Sequence, residues 1–354
     1  MAAVMTKELD YLAARLHGRR SRLAEAKRLE ALCRIRTIPE LARTVYPDTE
    51  FRAASAFQRR LVQDLARELS EFPGHLAGPG SHLLAWMLVR FQVENLKVLI
   101  RGLVTRTPLE ILREYLIVLP KDLTIDTSAL ASAESLETFA ELLPKGTLRN
   151  NMKEATIIYS DQSQPFFFEA ALDRGYFQEL LARAEELSDM DKETVKAMVL
   201  QEVDIFHLML VVRGRFHYGL KPESLLPLHV RGTRVSGERF HAMLTDPDLL
   251  TAAGRTVGYA LDALPSEPRG SSEASAIVDP AALEAFAWKR FLRLANRAFR
   301  LSHMGLGAVV GYAGIRRVEV ANLITLSEGI RTGMAAEAIH RRLISRIDLE
   351  TAHV

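Results

Sequence analysis

Cysteine is almost missing from this sequence: Cys33 stands alone among 354 residues. A single thiol excludes an intrachain disulfide and a cysteine-built metal site, and it fits a reducing setting. Cys33 itself reads as a small core residue. An excess of charge of either sign is also missing. The 46 Lys and Arg stand against 44 Asp and Glu, for a formal net charge of +2. That balance argues against a dedicated nucleic-acid binder, although it permits a local basic patch. No window approaches the roughly 18 apolar residues of a membrane span. The longest candidates, residues 208–212 and 308–315, are far too short. The opening MAAVMTKELDYLAARLHGRR mixes charges early, so no signal peptide is expected.

Period-two strand patterns are lacking as well, with residues 156–159 the one brief exception. So are the GxxxxGK phosphate loop, a GxGxxG after a strand, the HExxH helix and the GxSxG elbow. Gly305 and Gly307 in HMGLGAVVGYAG have neither the preceding strand nor the spacing of a cofactor loop. They read as packing glycines. No cofactor, metal or catalytic residue is expected.

What is present is helical periodicity. Hydrophobic residues make up 48% of the chain, enough for one large core or two to three smaller ones. The organising stretch is residues 92–102, QVENLKVLIRG. It returns as DIFHLMLVVRG at 204–214 and as EVANLITLSEG at 319–329. The copies lie about 112 and 115 residues apart and divide the chain into thirds. Their first position holds Gln92, Asp204 and Glu319. The fourth holds Asn95, His207 and Asn322, and the last holds Gly102, Gly214 and Gly329. On a helix these positions share a face. Each copy is then an apolar helix with a short polar stripe and a glycine where another chain segment can approach. These nine residues are the candidate helix-packing positions.

Helices are expected over residues 7–36, 83–105, 109–116, 194–212, 248–263, 283–300, 303–328 and 334–347. Further stripes run through Phe57, Leu61, Leu65 and Leu69, and through Phe168, Leu172, Tyr176, Leu180 and Ala184. Residues 144–153 read as a loop, 189–192 as a break and 264–280 as a flexible external loop. Glu94 with Lys97, and Arg316 with Glu319, read as surface ion pairs. Arg101 and Arg213 share a helix-end position, where they can meet terminal carbonyls or a carboxylate. The fold class is all-α, built as three related helical lobes over residues 1–119, 120–236 and 237–354, the third able to pack with the N-terminal helix.

Four dispersed pieces resemble the C subunit of the bacterial and archaeal V/A-type ATPases, a family that includes the d subunit of the vacuolar ATPase. They are YLAARLHGRRSRL at 11–23, ENLKVLIRG at 94–102, VVRGRFHYG at 211–219 and GYAGIRRVEVANLITLSEGIRTGMAAEAIHRRLI at 311–344. The departures from that pattern are His207 in place of an asparagine, Glu328 where the other copies have arginine, the neutral Gln92, and Gly311 with Gly314 in a helix that is commonly more charged. The resemblance implies a funnel-like molecule on the cytoplasmic face of the membrane. It implies a noncatalytic central-stalk part that couples the soluble ATPase rotor shaft to the membrane rotor ring, with proton or sodium transport elsewhere in the complex. Arg15, Arg19, Arg22, Arg341 and Arg342 are then candidates for the partner interface. The rivals are a helical hydrolase using Asp204 and His207, and an unrelated helical scaffold.

Overall fold

Apolar residues recur three and four positions apart through most of this chain, and the backbone follows them into helices. The computed structural model describes residues 2–51, 53–161, 164–248, 252 and 280–345, and no strand occurs among the described residues. In chain order the helices are α1 (Ala2–Arg20), α2 (Ala26–Leu32), α3 (Ile38–Val45), α4 (Ala54–Ser70), α5 (Gly78–Thr105) and α6 (Leu109–Leu112). Then come α7 (Thr127–Ala131), α8 (Leu136–Leu142), α9 (Thr147–Ile158), α10 (Pro165–Glu185) and α11 (Asp189–Met209). A π-helical segment, Leu210–His217, extends α11. After it follow α12 (Pro222–Leu225), α13 (Gly237–Thr245), α14 (Pro280–Leu301), α15 (Leu306–Arg331) and α16 (Ala336–Arg342). The chain divides into two compact units, residues 66–246 and residues 1–65 with 247–354.

In the unit of residues 66–246, α10 packs against α5, α9 and α11. The stripe Phe168, Leu172, Tyr176, Leu180 and Ala184 is buried along its whole length. Trp86 of α5 stacks on Tyr176 and donates its indole N–H to the Tyr176 carbonyl at 2.9 Å. Charges are buried in this packing too. Lys97 is only 8% exposed and meets Asp173 at 2.8 Å, while Arg90 meets the same carboxylate at 3.0 Å. The Glu94–Lys97 pair therefore stands at the edge of an interhelical network, with Lys97 buried and Glu94 40% exposed.

In the unit of residues 1–65 and 247–354, α14 and α15 form the main packed pair. Gly311 makes their approach possible. A Cβ there would lie 2.6 Å from the Ala295 carbonyl oxygen and 2.6 Å from the Phe299 nitrogen. Helix α1 packs on α15 and buries Leu12, Ala13 and Leu16. Its end reaches α14, where the Arg20 guanidinium lies 4.7 Å from the Phe299 ring centroid and donates to Asn296.

Several expected boundaries move. Residues 7–36 are not one helix: the chain leaves α1 at Arg20 and re-enters helix at Ala26, after an extended Glu25. The break lets the Ala24 N–H donate to the Glu319 carboxylate at 2.5 Å, a bond that a continuous helix would not leave free. Residues 147–153 belong to α9 and not to a loop, and 156–158 continue that helix. Asn151 is a poor helix former, but its amide donates to Thr147 O and Gln178 Oε1, and tertiary contact overrides propensity. Residues 189–192 open α11, with Asp189 and Asp191 in the first turn where carboxylates favour the helix dipole. Helix α6 stops at Leu112, and residues 306–331 form one unbroken helix. Cys33 is half-buried just past α2 and not a core residue, and burial raises its thiol pKa. The loop over 264–279 and most of the helix expected over 248–263 lie outside the described residues, as do residues 346–347 of the final expected helix.

Candidate functional site: a clasp built three times

The three sequence copies occupy the ends of α5, α11 and α15, and each helix closes on the chain that follows it. The glycine comes first. A Cβ on Gly102 would overlap Leu112 Cδ1. One on Gly214 would lie 2.8 Å from Leu225, and one on Gly329 would lie 2.5 Å from Ile339. Each bare backbone therefore receives the apolar knob of the next short helix, α6, α12 or α16. The turn between glycine and knob is also shared. Thr107 N–H donates to Gly102 O at 2.8 Å, Leu220 N–H to Gly214 O at 2.9 Å, and Met334 N–H to Gly329 O at 2.8 Å. A left-handed residue precedes each donor: Arg106 at φ +54°, Gly219 at +64° and Gly333 at +68°. This is the usual way to satisfy terminal carbonyls of a helix.

The fourth position of each copy then holds the chain beyond the knob. Asn95 donates to Ile117 O at 2.9 Å and accepts from Ile117 N–H at 2.7 Å. Asn322 donates to Ile344 O at 2.9 Å and accepts from Ile344 N–H at 2.8 Å. His207 Nε2 accepts from Val230 N–H at 3.0 Å. An asparagine amide can pair both groups of one residue, much as a strand neighbour would, and an imidazole cannot. The His207 ring is wholly buried, and its Nδ1 has no hydrogen-bond partner among the described residues.

The first position adds an outer tie. Gln92 donates to Leu123 O at 2.8 Å, and Asp204 pairs with Arg234 at 2.6 Å. Glu319 accepts from Ala24 N–H and pairs with Arg316 at 2.5 Å. Burial raises the Glu319 carboxyl above its ordinary pKa, against the pull of Arg316. Arg316 and Glu319 are thus a largely buried pair, correcting the surface reading. A small adjoining cavity of about 20 Å³ is lined by Glu319, Asn322, Ala24 and Ile344 and has room for a water.

The second copy carries one more residue than the others between glycine and knob. The chain absorbs it in the π-helical segment, where Tyr218 N–H reaches back five residues to Arg213 O. A π turn encloses one residue more than an α turn, so both ends of the clasp stay in register. At the position before the glycine, Arg101 pairs with Glu169 at 2.5 Å. In the third copy Glu328 accepts instead from Gln58 Nε2 at 2.6 Å and pairs with Arg331 at 2.7 Å. The Arg331 and Gln58 hydrogen bonds hold its carboxyl below the usual pKa.

Asp204 and His207 do not form a catalytic pair. Asp204 is tied to Arg234, while the His207 ring bonds Val230 and is sealed from solvent. A general base needs reach to a substrate proton, and this ring has none. Of the arginine candidates, Arg15 and Arg19 are half-buried on α1, and Arg22 is exposed in the turn after it. Arg341 and Arg342 are exposed on α16. The receiving groups at Ile117, Val230 and Ile344 had no sequence signal, being backbone. Leu112, Leu225 and Ile339 did have one: an apolar residue ten or eleven positions after each glycine.

Known proteins share this chain's pattern at low identity. The C subunit of the A-type ATP synthase of Methanosphaera stadtmanae is 21% identical over 248 residues, covering 69% of this chain and 63% of that protein. Its Methanosarcina mazei counterpart is 20% identical over 288 residues, 81% of this chain and 76% of the relative. That of Methanobrevibacter smithii is 22% identical over 183 residues, 51% and 46% respectively. The chain thus spans less than two thirds of the length of two of these three relatives. The family match reaches much further, from residue 12 to residue 342, and takes in all three sequence copies: the chain belongs to the ATP synthase (C/AC39) subunit family.

Proposed function

We propose that this chain is a noncatalytic coupling part of a rotary ATPase or ATP synthase. The observation that carries the reading is the family match over residues 12–342. In this role the chain sits between the soluble ATPase rotor shaft and the membrane rotor ring as a central-stalk component, related to the d subunit of the vacuolar ATPase. It lies peripherally on the cytoplasmic face of the membrane. No described helix is long and apolar enough to cross a bilayer. In this role attachment comes through partners. The three clasped copies correspond to three lobes, near residues 1–119, 120–236 and 237–354, arranged as a funnel.

The physics of such a part is stiffness. Torque passes through a body only if its elements resist sliding, and interlocked side chains resist because rearranging them costs packing energy. The clasps suit that demand, since each fixes a helix end to the connection that leaves it. The nine clasp positions are then packing residues. Arg15, Arg19, Arg22, Arg341 and Arg342 are the interface candidates toward an acidic or polar stalk tip.

Gentle detergent extraction followed by capture of the tagged chain tests the reading. The expected result is co-recovery of a ring of small membrane proteins and a soluble ATPase head. Recovery as an unattached monomer in every mild condition overturns it. Charge reversal at Arg22, Arg341 and Arg342 is expected to weaken binding of the purified stalk and to uncouple ATP turnover from ion transport. Unchanged affinity and coupling in all three variants removes these residues from the interface.

A further inference from the structure

At their fourth position the three clasps differ in one chemical respect. Asn95 and Asn322 are amides and do not titrate, whereas His207 does. Val230 N–H donates to Nε2, so that nitrogen carries the lone pair and the neutral ring keeps its proton on Nδ1. Protonation fills Nε2. The clasp would then set N–H against N–H in a site that water does not reach.

We propose that the second clasp is an acid-sensitive joint: protonation of His207 at Nε2 withdraws the acceptor from Val230 N–H and frees residues 226–235, while the Asn95 and Asn322 clasps hold.

The surroundings offer an imidazolium little compensation. His207 stacks on His229 with centroids 4.9 Å apart and meets the Phe240 ring at 5.1 Å. From its own helix the nearby charge is Asp204, which Arg234 already neutralises. From the connection comes His229, which itself feels the positive charge of Arg231 and of Arg174 on α10, the latter paired with Glu154. Helix α13 contributes Phe240, while its Glu238, Arg239 and His241 are exposed. Burial, then His229, holds the His207 pKa well below the ordinary imidazole value. The sign follows. The closed form refuses a proton that the open form accepts near pH 6.5, so the clasp is complete above that pH and loses stability as pH falls below it. His229 moves with the same segment, because its Nε2 lies 2.8 Å from Val235 O.

Amide hydrogen exchange on the full-length chain tests this. Protection at Val230, corrected for intrinsic exchange, is expected to fall about tenfold between pH 7.5 and 5.5, because one proton is taken up on opening. Protection at Ile117 is expected to stay flat, and H207N is expected to make Val230 equally flat. A Val230 amide that tracks Ile117 overturns the proposal, as does an H207N chain that keeps the tenfold loss. Should H207N fail to fold, nitrogen NMR of the wild-type imidazole decides. A neutral ring with its proton on Nδ1 at pH 7.5 supports the joint, and a proton on Nε2 overturns it.

Discussion

At the scale of single residues, the chain spends its buried polar groups on backbone. Asn95 and Asn322 each satisfy one N–H and one C=O at a point where the following segment has no helix or sheet partner of its own. Replacing either amide with alanine leaves both groups unmet, and unmet buried groups cost more than the net worth of the bonds. N95A and N322A are each expected to lose about 2–3 kcal/mol in equilibrium urea unfolding. The energy should show most at one place, as faster amide exchange of Ile117 or Ile344. A variant that loses under about 0.5 kcal/mol would mean that the amide merely decorates a contact held by the knob. The polar stripe was legible in the sequence as a recurring Asn, His, Asn. Its purpose was not. Nothing in a sequence marks a backbone carbonyl 22 residues away as the acceptor.

At the scale of elements, the glycines separate into two kinds that the sequence shows alike. Gly311 faces backbone, the Ala295 carbonyl and the Phe299 nitrogen, and neither can move without shifting α14. Gly102 faces the far end of Leu112, which can rotate. Alanine gains about 1 kcal/mol of helix propensity over glycine at either site. Overpacking takes back about 1–3 kcal/mol when a side chain can yield, and more when backbone must. G311A is therefore expected to lose about 3 kcal/mol in thermal or urea unfolding, and G102A no more than about 2. Equal losses would show that α14 and α15 yield as easily as a leucine does. The π-helical segment gives a second comparison. Deleting exposed His217 removes the one surplus residue of the second copy and lets the helix end as α, with a change expected within about 1 kcal/mol. Deleting Arg331, where the third copy has no surplus, pulls Ile339 away from Gly329 and is expected to cost about 3 kcal/mol, as a buried cavity does. Helix interiors such as the Phe168–Leu172–Tyr176 stripe could be read ahead because periodicity fixes them. The interruption after α1 and the start of α9 could not, since each depends on a distant partner, Glu319 for Ala24 and Gln178 for Asn151.

At the scale of the whole chain, the question is how the third copy is completed. The first copy sends Gln92 to a carbonyl 31 residues downstream, and the second sends Asp204 to Arg234 at a similar remove. In the third, Glu319 turns to Ala24, 295 residues upstream. The N-terminal segment thus supplies a tie that the other two copies draw from their own following chain. Helix α1 adds Leu12 and Leu16, both wholly buried, and each buried leucine contributes about 1.5–3 kcal/mol. Removing residues 1–25 should therefore loosen the third copy and leave the first two intact. Hydrogen exchange is expected to show protection falling at least tenfold across α15 while α5 and α10 keep theirs. The same truncation should expose the Glu319 carboxyl and let its pKa drop back toward the ordinary value, because burial is what raises it. Stability carried by that raised pKa is present below about pH 4.3 and is lost as pH rises through the folded value, so its share of the pH dependence should vanish in the truncated chain. Loss of protection spread evenly over all three copies would instead mean that the N-terminal segment stabilises the chain as a whole. In that case the closing of the third copy by Ala24 would be incidental.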